Sequence, residues 1–223
     1  MQICSVNIGK AGWIECEGKR VLSAITKIPT KDQVFLSVLG LQGDEQANKI
    51  RHGGLDKAVC AYPEEYYDDW EQELCMELPF GSFGENLTVR GMREPEVHIG
   101  DIFMWGEALL EITQPRPPCH KLAKKFGNPQ LPLLFQNLGR TGFLMRVLKE
   151  GWVSMDSPFF CSKTHPSQIS IARVNDVMYK DIRNKELLTA ILQVEALSPS
   201  VRTTFKLRLA GHYEDSTNRL QGM

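Results

Sequence analysis

The stretch Gly100-Asp101-Ile102-Phe103-Met104-Trp105-Gly106-Glu107-Ala108-Leu109-Leu110-Glu111-Ile112-Thr113-Gln114-Pro115-Arg116-Pro117-Pro118-Cys119 decides how this chain is read. Two short runs of aliphatic and aromatic residues meet at Gly106, which predicts a pair of strands joined by a turn. Pro115, Pro117 and Pro118 each lack an N–H and cannot extend a ladder of hydrogen bonds. The second strand is therefore expected to end at Thr113 and leave its sheet as a stiff, extended loop. That loop would deliver Cys119 to the start of a short helix, expected from about His120 to Phe126. Free amides and the positive end of the helix dipole lie there.

The rest of the first two-thirds has the same texture. Residues 20–28 are β-branched and stop at Pro29, residues 32–36 supply a partner, and Gly40 and Gly43 mark the next turn. Residues 86–89 read as another strand. Strands this short and frequent point to a mainly β fold, a closed or nearly closed β-barrel with interspersed helices, rather than alternating β-α units. Glu64 to Leu74 is expected as one such helix, acidic outside, with Tyr66, Tyr67 and Trp70 available for packing. Beyond Thr164-His165-Pro166-Ser167, read as a linker, the period becomes helical. Ile171, Val174 and Met178 share a face of a first helix. Asn184 caps a second, with Leu187, Leu188, Ile191 and Leu192 apolar. Ser198-Pro199 starts a third, with Val201, Phe205 and Leu209, stopped by Gly211. The expected organisation is a barrel domain over residues 1–163 and a small three-helix unit over residues 164–223.

At 223 residues and 42% hydrophobic, the chain can bury one sizeable core plus a small appended unit. A formal charge of -1 gives no reason to expect a nucleic-acid or anionic-membrane partner. No stretch approaches the roughly 20 apolar residues of a membrane span, and the N-terminus lacks signal-peptide features. A cytoplasmic protein is the expectation. The six cysteines are scattered and form no C-x-x-C, so neither a disulfide framework nor structural zinc is expected. Cys60 reads as a small buried residue. Cys119 differs, because Arg116, Lys121, Lys124 and Lys125 lie close in sequence. Such cations favour the thiolate, which is both nucleophile and metal ligand. On spacing alone, a cysteine packed at a strand–helix corner reads equally well.

Two other segments carry chemistry. In Arg51-His52-Gly53-Gly54-Leu55-Asp56-Lys57-Ala58, paired glycines let backbone approach a ligand and leave donors for an anion. Alone, it reads as a turn with a surface histidine. Gly81-Ser82-Phe83-Gly84-Glu85-Asn86-Leu87 is a glycine loop that fits neither a Walker A loop nor a dinucleotide fingerprint.

Lys27, Gly40-Leu41-Gln42-Gly43-Asp44, His52-Gly53-Gly54-Leu55-Asp56-Lys57-Ala58, Gly84-Glu85-Asn86-Leu87, Ile99-Gly100-Asp101 and Gln114-Pro115-Arg116-Pro117-Pro118-Cys119 resemble, in that order, the motifs of the MOSC domain. That domain takes its name from the C-terminal part of molybdenum cofactor sulfurase, and the resemblance covers about residues 20 to 163. The tail, with Ile171 to Tyr179, is similar to the three-helix domain behind MOSC in one bacterial subgroup. That subgroup includes proteins conferring resistance to 6-N-hydroxylaminopurine. The resemblance implies a β-rich barrel with a cofactor cleft, a molybdenum cofactor (molybdopterin), and Cys119 as the molybdenum ligand. It implies Lys27 and His52 as catalytic companions. A lysine ammonium would hold the thiolate deprotonated, and a histidine near pKa 6.5 could pass protons. Arg116, Arg51, Lys57, Asn86, Gly53, Gly54 and the glycine-loop amides are expected to meet the phosphate and polar ring edges of the pterin.

The expected function is a molybdenum-dependent reductase of small N-hydroxylated compounds, N-hydroxylated purines among them, in detoxification. A separate electron-donor protein, a flavoprotein or ferredoxin-like, would supply electrons, because the chain carries no Rossmann, flavin or iron–sulfur signature. The alternative is a sulfur or molybdopterin carrier holding a Cys119 persulfide without substrate turnover. A thiol hydrolase using Cys119 and His52 is disfavoured by the lack of a nucleophile elbow. Arg202, Lys206 and Arg208 make one face of the tail basic, which reads more readily as solvated than as a dock for an acidic electron donor; the tail itself is expected to serve packing, partner docking or a homodimer.

Overall fold

The structure, a computed structural model, describes residues 1–16 and 19–222, without the side chains of Cys16, Lys19, Ile50, Arg51 and Asn218. Strands β1 (Gln2–Ile8), β2 (Gly12–Cys16), β3 (Lys19–Ser23), β4 (Ile28–Thr30), β5 (Val34–Ser37) and β6 (Gly40–Leu41) precede a one-turn helix, α1 (Lys49–His52). Then come β7 (Val59–Pro63), α2 (Tyr67–Leu74), β8 (Leu87–Arg90), β9 (Ile102–Trp105) and β10 (Ala108–Pro115). α3 (His120–Phe126) and α4 (Leu131–Leu138) lead into β11 (Phe143–Lys149), β12 (Gly151–Val153) and β13 (Phe159–Lys163). Helices α5 (Ile171–Tyr179), α6 (Lys185–Leu192), α7 (Pro199–Leu209) and α8 (Thr217–Gln221) follow.

Among the described residues one sheet runs β13-β9-β10-β11-β7-β8-β1-β4, antiparallel apart from the parallel pair β7–β8. It curls into a half-barrel, so that β13 at one edge comes within 8 Å, Cα to Cα, of β1 near the other. β12-β5-β6 and the hairpin β2–β3 stand beside it. The strands turn Val6, Leu87, Val89, Phe103, Trp105, Leu110, Ile112 and Met145 into the core. Val174, Val177, Ile191, Val201 and Phe205 of the tail helices join the same core. The barrel and the tail thus share apolar burial, worth roughly 25 cal/mol per Å² removed from water.

Several expectations hold. α3 covers the anticipated residues, and the hydroxyl of Ser198 and the amide oxygen of Asn184 cap α7 and α6. The predicted helix over residues 64–74 is a 3₁₀ turn, Glu64–Tyr66, continued by α2. Others are corrected. The strand expected over residues 20–28 breaks after Ser23. β3 pairs with β2, while β4 lies at the edge of the large sheet, where Pro29 opposite Asn7 costs no ladder. The interruption turns Ile25 and Lys27 into the interior. β10 continues past Thr113, with Pro115 opposite Phe143, because a proline at a strand end lacks a donor but keeps its carbonyl. α8, which has no apolar periodicity to announce it, adds a fourth helix to the tail. Two of the three residues of the expected basic face are engaged within the protein, while Lys206 is exposed. Arg202 donates to the carbonyls of Leu192 and Val194, and the buried Arg208 donates to those of Val177 and Met178 and pairs with Glu214.

A second, aromatic core supports the loops. Tyr62, Tyr67, Trp70, Phe83, Leu122, Leu131 and Phe135 pack together, with Trp70 and Phe135 stacked at 4.2 Å and 12°. The indole of Trp70 donates to the Tyr62 hydroxyl at 2.6 Å, so the polar edge of each ring is satisfied where it is buried. Leu122 plants α3, and with it the cysteine loop, in this cluster. No helix among the described residues is long and apolar enough to cross a membrane. Truncating Phe135 to alanine is expected to cost about 3–5 kcal/mol of stability in urea unfolding, since the ring is fully enclosed.

Candidate functional site

The cysteine loop is held by its arginine. The Arg116 N–H donates to the Gly142 carbonyl at 3.0 Å, and Nη2 donates to the Phe83 carbonyl at 2.5 Å. The chain then runs through the two prolines and places Cys119 in an extended conformation (φ -137°, ψ 165°) as the N-cap residue of α3. Its carbonyl accepts the Leu122 N–H at 3.0 Å. The thiol is half-buried and, among the described residues, makes no capping bond to the α3 amides. The helix start lies where the sequence placed it, but no capping bond fixes the sulfur there.

His52, at the end of α1, belongs to the same neighbourhood. Burial and the positive charges of Lys121, Arg116, Lys57 and His120 hold its imidazole far below the usual histidine range, at about 4. Arg116, His120 and Lys121 flank Cys119 on both sides in sequence, so the fold brings the histidine motif and the cysteine loop together. Lys121 is itself lowered by burial, against the opposing pull of Cys119. Lys57 is lowered by burial too, against the pull of Asp56, whose carboxylate is shared with Arg146 at 2.7 Å. Beside His52, a cleft of about 200 Å³ is lined by Gly53, Gly54, Leu55, Asp56 and Lys57 from the barrel and by Pro199 and Ser200 from α7. Gly54 sits at φ 97°, a backbone conformation that favours glycine. A larger, shallow hollow on α2 is edged by Asp68, Glu71 and Glu77, the wrong sign for an anionic ligand.

Several buried polar atoms are left over among the described residues, Nε of Arg146 among them, and one belongs to the arginine of the cysteine loop. Among the described residues, Nη1 of Arg116 has no hydrogen-bond partner. An unmet guanidinium donor costs on the order of 1–3 kcal/mol or more, so such an atom in a cationic surrounding fits a ligand that is an anion.

Other expected contacts are committed elsewhere. Lys27 is buried and paired with Asp44, whose second oxygen takes the Asn86 amide at 2.9 Å. Asn86 also donates to the Asn7 carbonyl and accepts the Cys60 N–H, so its side chain bonds protein at both ends. Lys27 still adjoins the site, since its charge and that of Arg116 both act on the Cys60 thiol, which burial pushes up to about 11. In the glycine loop, the amides of Gly81 and Phe83 go to the Glu85 carboxylate, and those of Ser82 and Gly84 go to the carbonyls of Pro79 and Gly81. These amides hold the loop together rather than facing a ligand. Lys125, pushed down to about 8 by burial, donates to the Ser82 and Ile25 carbonyls. The side chain of Arg51 lies outside the described residues. Sequence reading gives no role to Asp44, inside one quoted motif, or to His120, directly after another. A carboxylate three residues past the Gly40-Leu41 turn is the available signal for a buried lysine's partner.

Residues 48–159 match the MOSC domain, and residues 169–212 match the YiiM-like, 3-alpha helix domain. The chain is 43% identical over 203 residues to the protein YflK of Bacillus subtilis (strain 168), covering 91% of this chain and 92% of that one. The crystal structure of YiiM from Geobacillus stearothermophilus superposes with a TM-score of 0.80 at 36% identity, covering 93% of this chain and 98% of that one. A protein of Gibberella moniliformis described as a reductase is 41% identical over 138 residues, which are 60% of this chain and 24% of that protein.

The depressed histidine makes a pH prediction. The unfolded chain accepts a proton near pH 6.5 that folded His52 refuses until about pH 4. Stability is therefore full above the ordinary histidine range and drains as pH falls through that window. Urea unfolding of the wild type should lose on the order of 3 kcal/mol more between pH 6.5 and pH 4 than His52→Gln does. Parallel losses in the two proteins would show that His52 is not held neutral.

Proposed function

We propose a function from the premise that this chain belongs to the MOSC domain family and carries a YiiM-like three-helix domain behind it: it is a molybdenum-cofactor-binding reductase of N-hydroxylated compounds, with Cys119 as the protein's ligand to molybdenum. The observation that carries this reading is the partnerless Nη1 of Arg116 in the cationic surrounding of His52, next to the Cys119 loop. A pterin cofactor bears a phosphate and polar ring edges, and this is the set of charges that would hold it.

When bound, the cofactor would supply two-electron removal of oxygen from an N–O bond. The rest falls to the chain's own side chains. Cys119 offers one soft thiolate, and no cluster of three or more His, Cys, Asp or Glu side chains stands near enough among the described residues to chelate a bare metal. The remaining metal ligands would come with the pterin. Arg116, Lys57 and Lys121 would hold its anionic groups. Gly53 and Gly54 would let it lie close to the backbone. His52, held neutral in the free protein, would regain affinity for a proton beside an anionic cofactor and could then hand one to the leaving oxygen. Lys27, with its ammonium on Asp44, would fix the wall beside Cys60 and Arg116. Electrons would come from a separate donor protein. The fungal relative described as a reductase supports the reaction class, and the small share of it that aligns supports placing electron supply outside this domain.

Molybdenum and pterin analysis of the purified holoprotein beside Cys119→Ala tests the reading. We expect both groups in the wild type, and a loss of more than about tenfold in bound molybdenum in the variant. A wild-type protein without molybdenum, or a variant that retains it, contradicts the assignment. A persulfide trapped on Cys119 without reduction of N-hydroxylated substrate would replace it by a carrier role.

A further inference from the structure

We propose that Arg219, on α8, is the positioning residue of Cys119, acting through the Pro118 carbonyl; this rests on the reading of Cys119 as the functional thiol. α8 lies beyond the region matched to the three-helix domain, which ends at residue 212. Arg219 reaches back across the sequence to three parts of the fold. Nη1 donates to the Pro118 carbonyl at 2.5 Å, and Nη2 donates to the Gln136 side-chain carbonyl, near the end of α4, at 2.8 Å. The guanidinium lies over the ring of Tyr179, on α5, at 5.3 Å. A planar cation engaged by two acceptors and an aromatic face has little freedom left.

The acceptor it grips is the informative one. The Pro118 carbonyl and the Cys119 N–H belong to a single planar peptide unit, so fixing that oxygen fixes the plane from which the Cys119 side chain springs. Pro117 and Pro118 have no N–H with which to tie the loop down themselves. A second contact on the other side of the cysteine points the same way. Gly222, at φ +73°, packs so tightly on the His120 imidazole that an added Cβ would stand 2.8 Å from the ring. The residues on either side of Cys119 are therefore both held by the segment around α8, while the sulfur between them has no capping bond of its own.

Removing the clamp frees the peptide plane; it also takes one cation from beside Pro118, a change that disfavours the thiolate and so opposes, rather than mimics, faster alkylation. Peptide-resolved alkylation by iodoacetamide, run on the full-length chain across a pH series, reads this directly. In Arg219→Ala we expect Cys119 to react about five- to tenfold faster at each pH, with Cys60 unchanged. Arg219→Lys, which keeps one donor to Pro118, should restore roughly half of the protection. Arg219→Ala within twofold of wild type at Cys119 overturns the proposal. If Cys60 rises in parallel, the chain has loosened as a whole, and Gln136→Met decides. That variant removes only the second acceptor, so a selective rise at Cys119 supports the clamp and none overturns it. Alkylation needs no cofactor, so a molybdenum assay that fails for Cys119→Ala would sink the ligand assignment and leave the clamp standing.

Discussion

Arg116 is where the parts of this site meet. Its backbone N–H is bonded to Gly142, just ahead of β11, one of its guanidinium nitrogens to Phe83 in the glycine loop, and its chain leads through two prolines to Cys119. Remove it and the large sheet, the glycine loop and the cysteine loop lose their common tie. Its Nη1 stays unused, and its position among other cations is what would suit the proposed cradle to an anion.

The electrostatics divide the buried charges into two kinds. Lys27 with Asp44, and Glu85 with Tyr67, Thr88 and two loop amides, are closed sets whose hydrogen bonds end within the protein. They shape the walls. Around His52 the charges that act most strongly are all positive, and the imidazole responds by staying neutral. Buried like charges cost stability, because their repulsion is poorly screened where water is scarce, and Asp56 acts in the opposite sense on Lys57. An anionic cofactor would relieve that cost and would raise the affinity of His52 for a proton. Binding and proton handling would then be coupled through the same few side chains.

Much of this was written in the sequence, and the exceptions have physical causes. The strand pair around Gly106, the helix after Cys119 and the caps at Asn184 and Ser198 follow from local patterns that packing did not override. The break at residues 24–27 did not, because the pull of a buried Lys27–Asp44 pair is a long-range effect that β-propensity cannot register. Asn86 resembled a ligand contact because its motif is shared with the family. In three dimensions its amide is occupied by Asp44, Asn7 and Cys60, which only the sheet arrangement reveals. α8 carries no amphipathic signal, and the importance of its segment lies in Arg219 and, just past the helix, Gly222, which meet residues about a hundred positions earlier. Such contacts leave no period in a sequence.

The central claim is that the Cys119 sulfur is itself bound to molybdenum, rather than merely near it. X-ray absorption at the molybdenum edge of cofactor-loaded protein reads that bond. The wild type should show one more sulfur neighbour, at ordinary thiolate distance, than Cys119→Ser loaded with the same cofactor. Identical sulfur coordination in the two proteins would contradict the account.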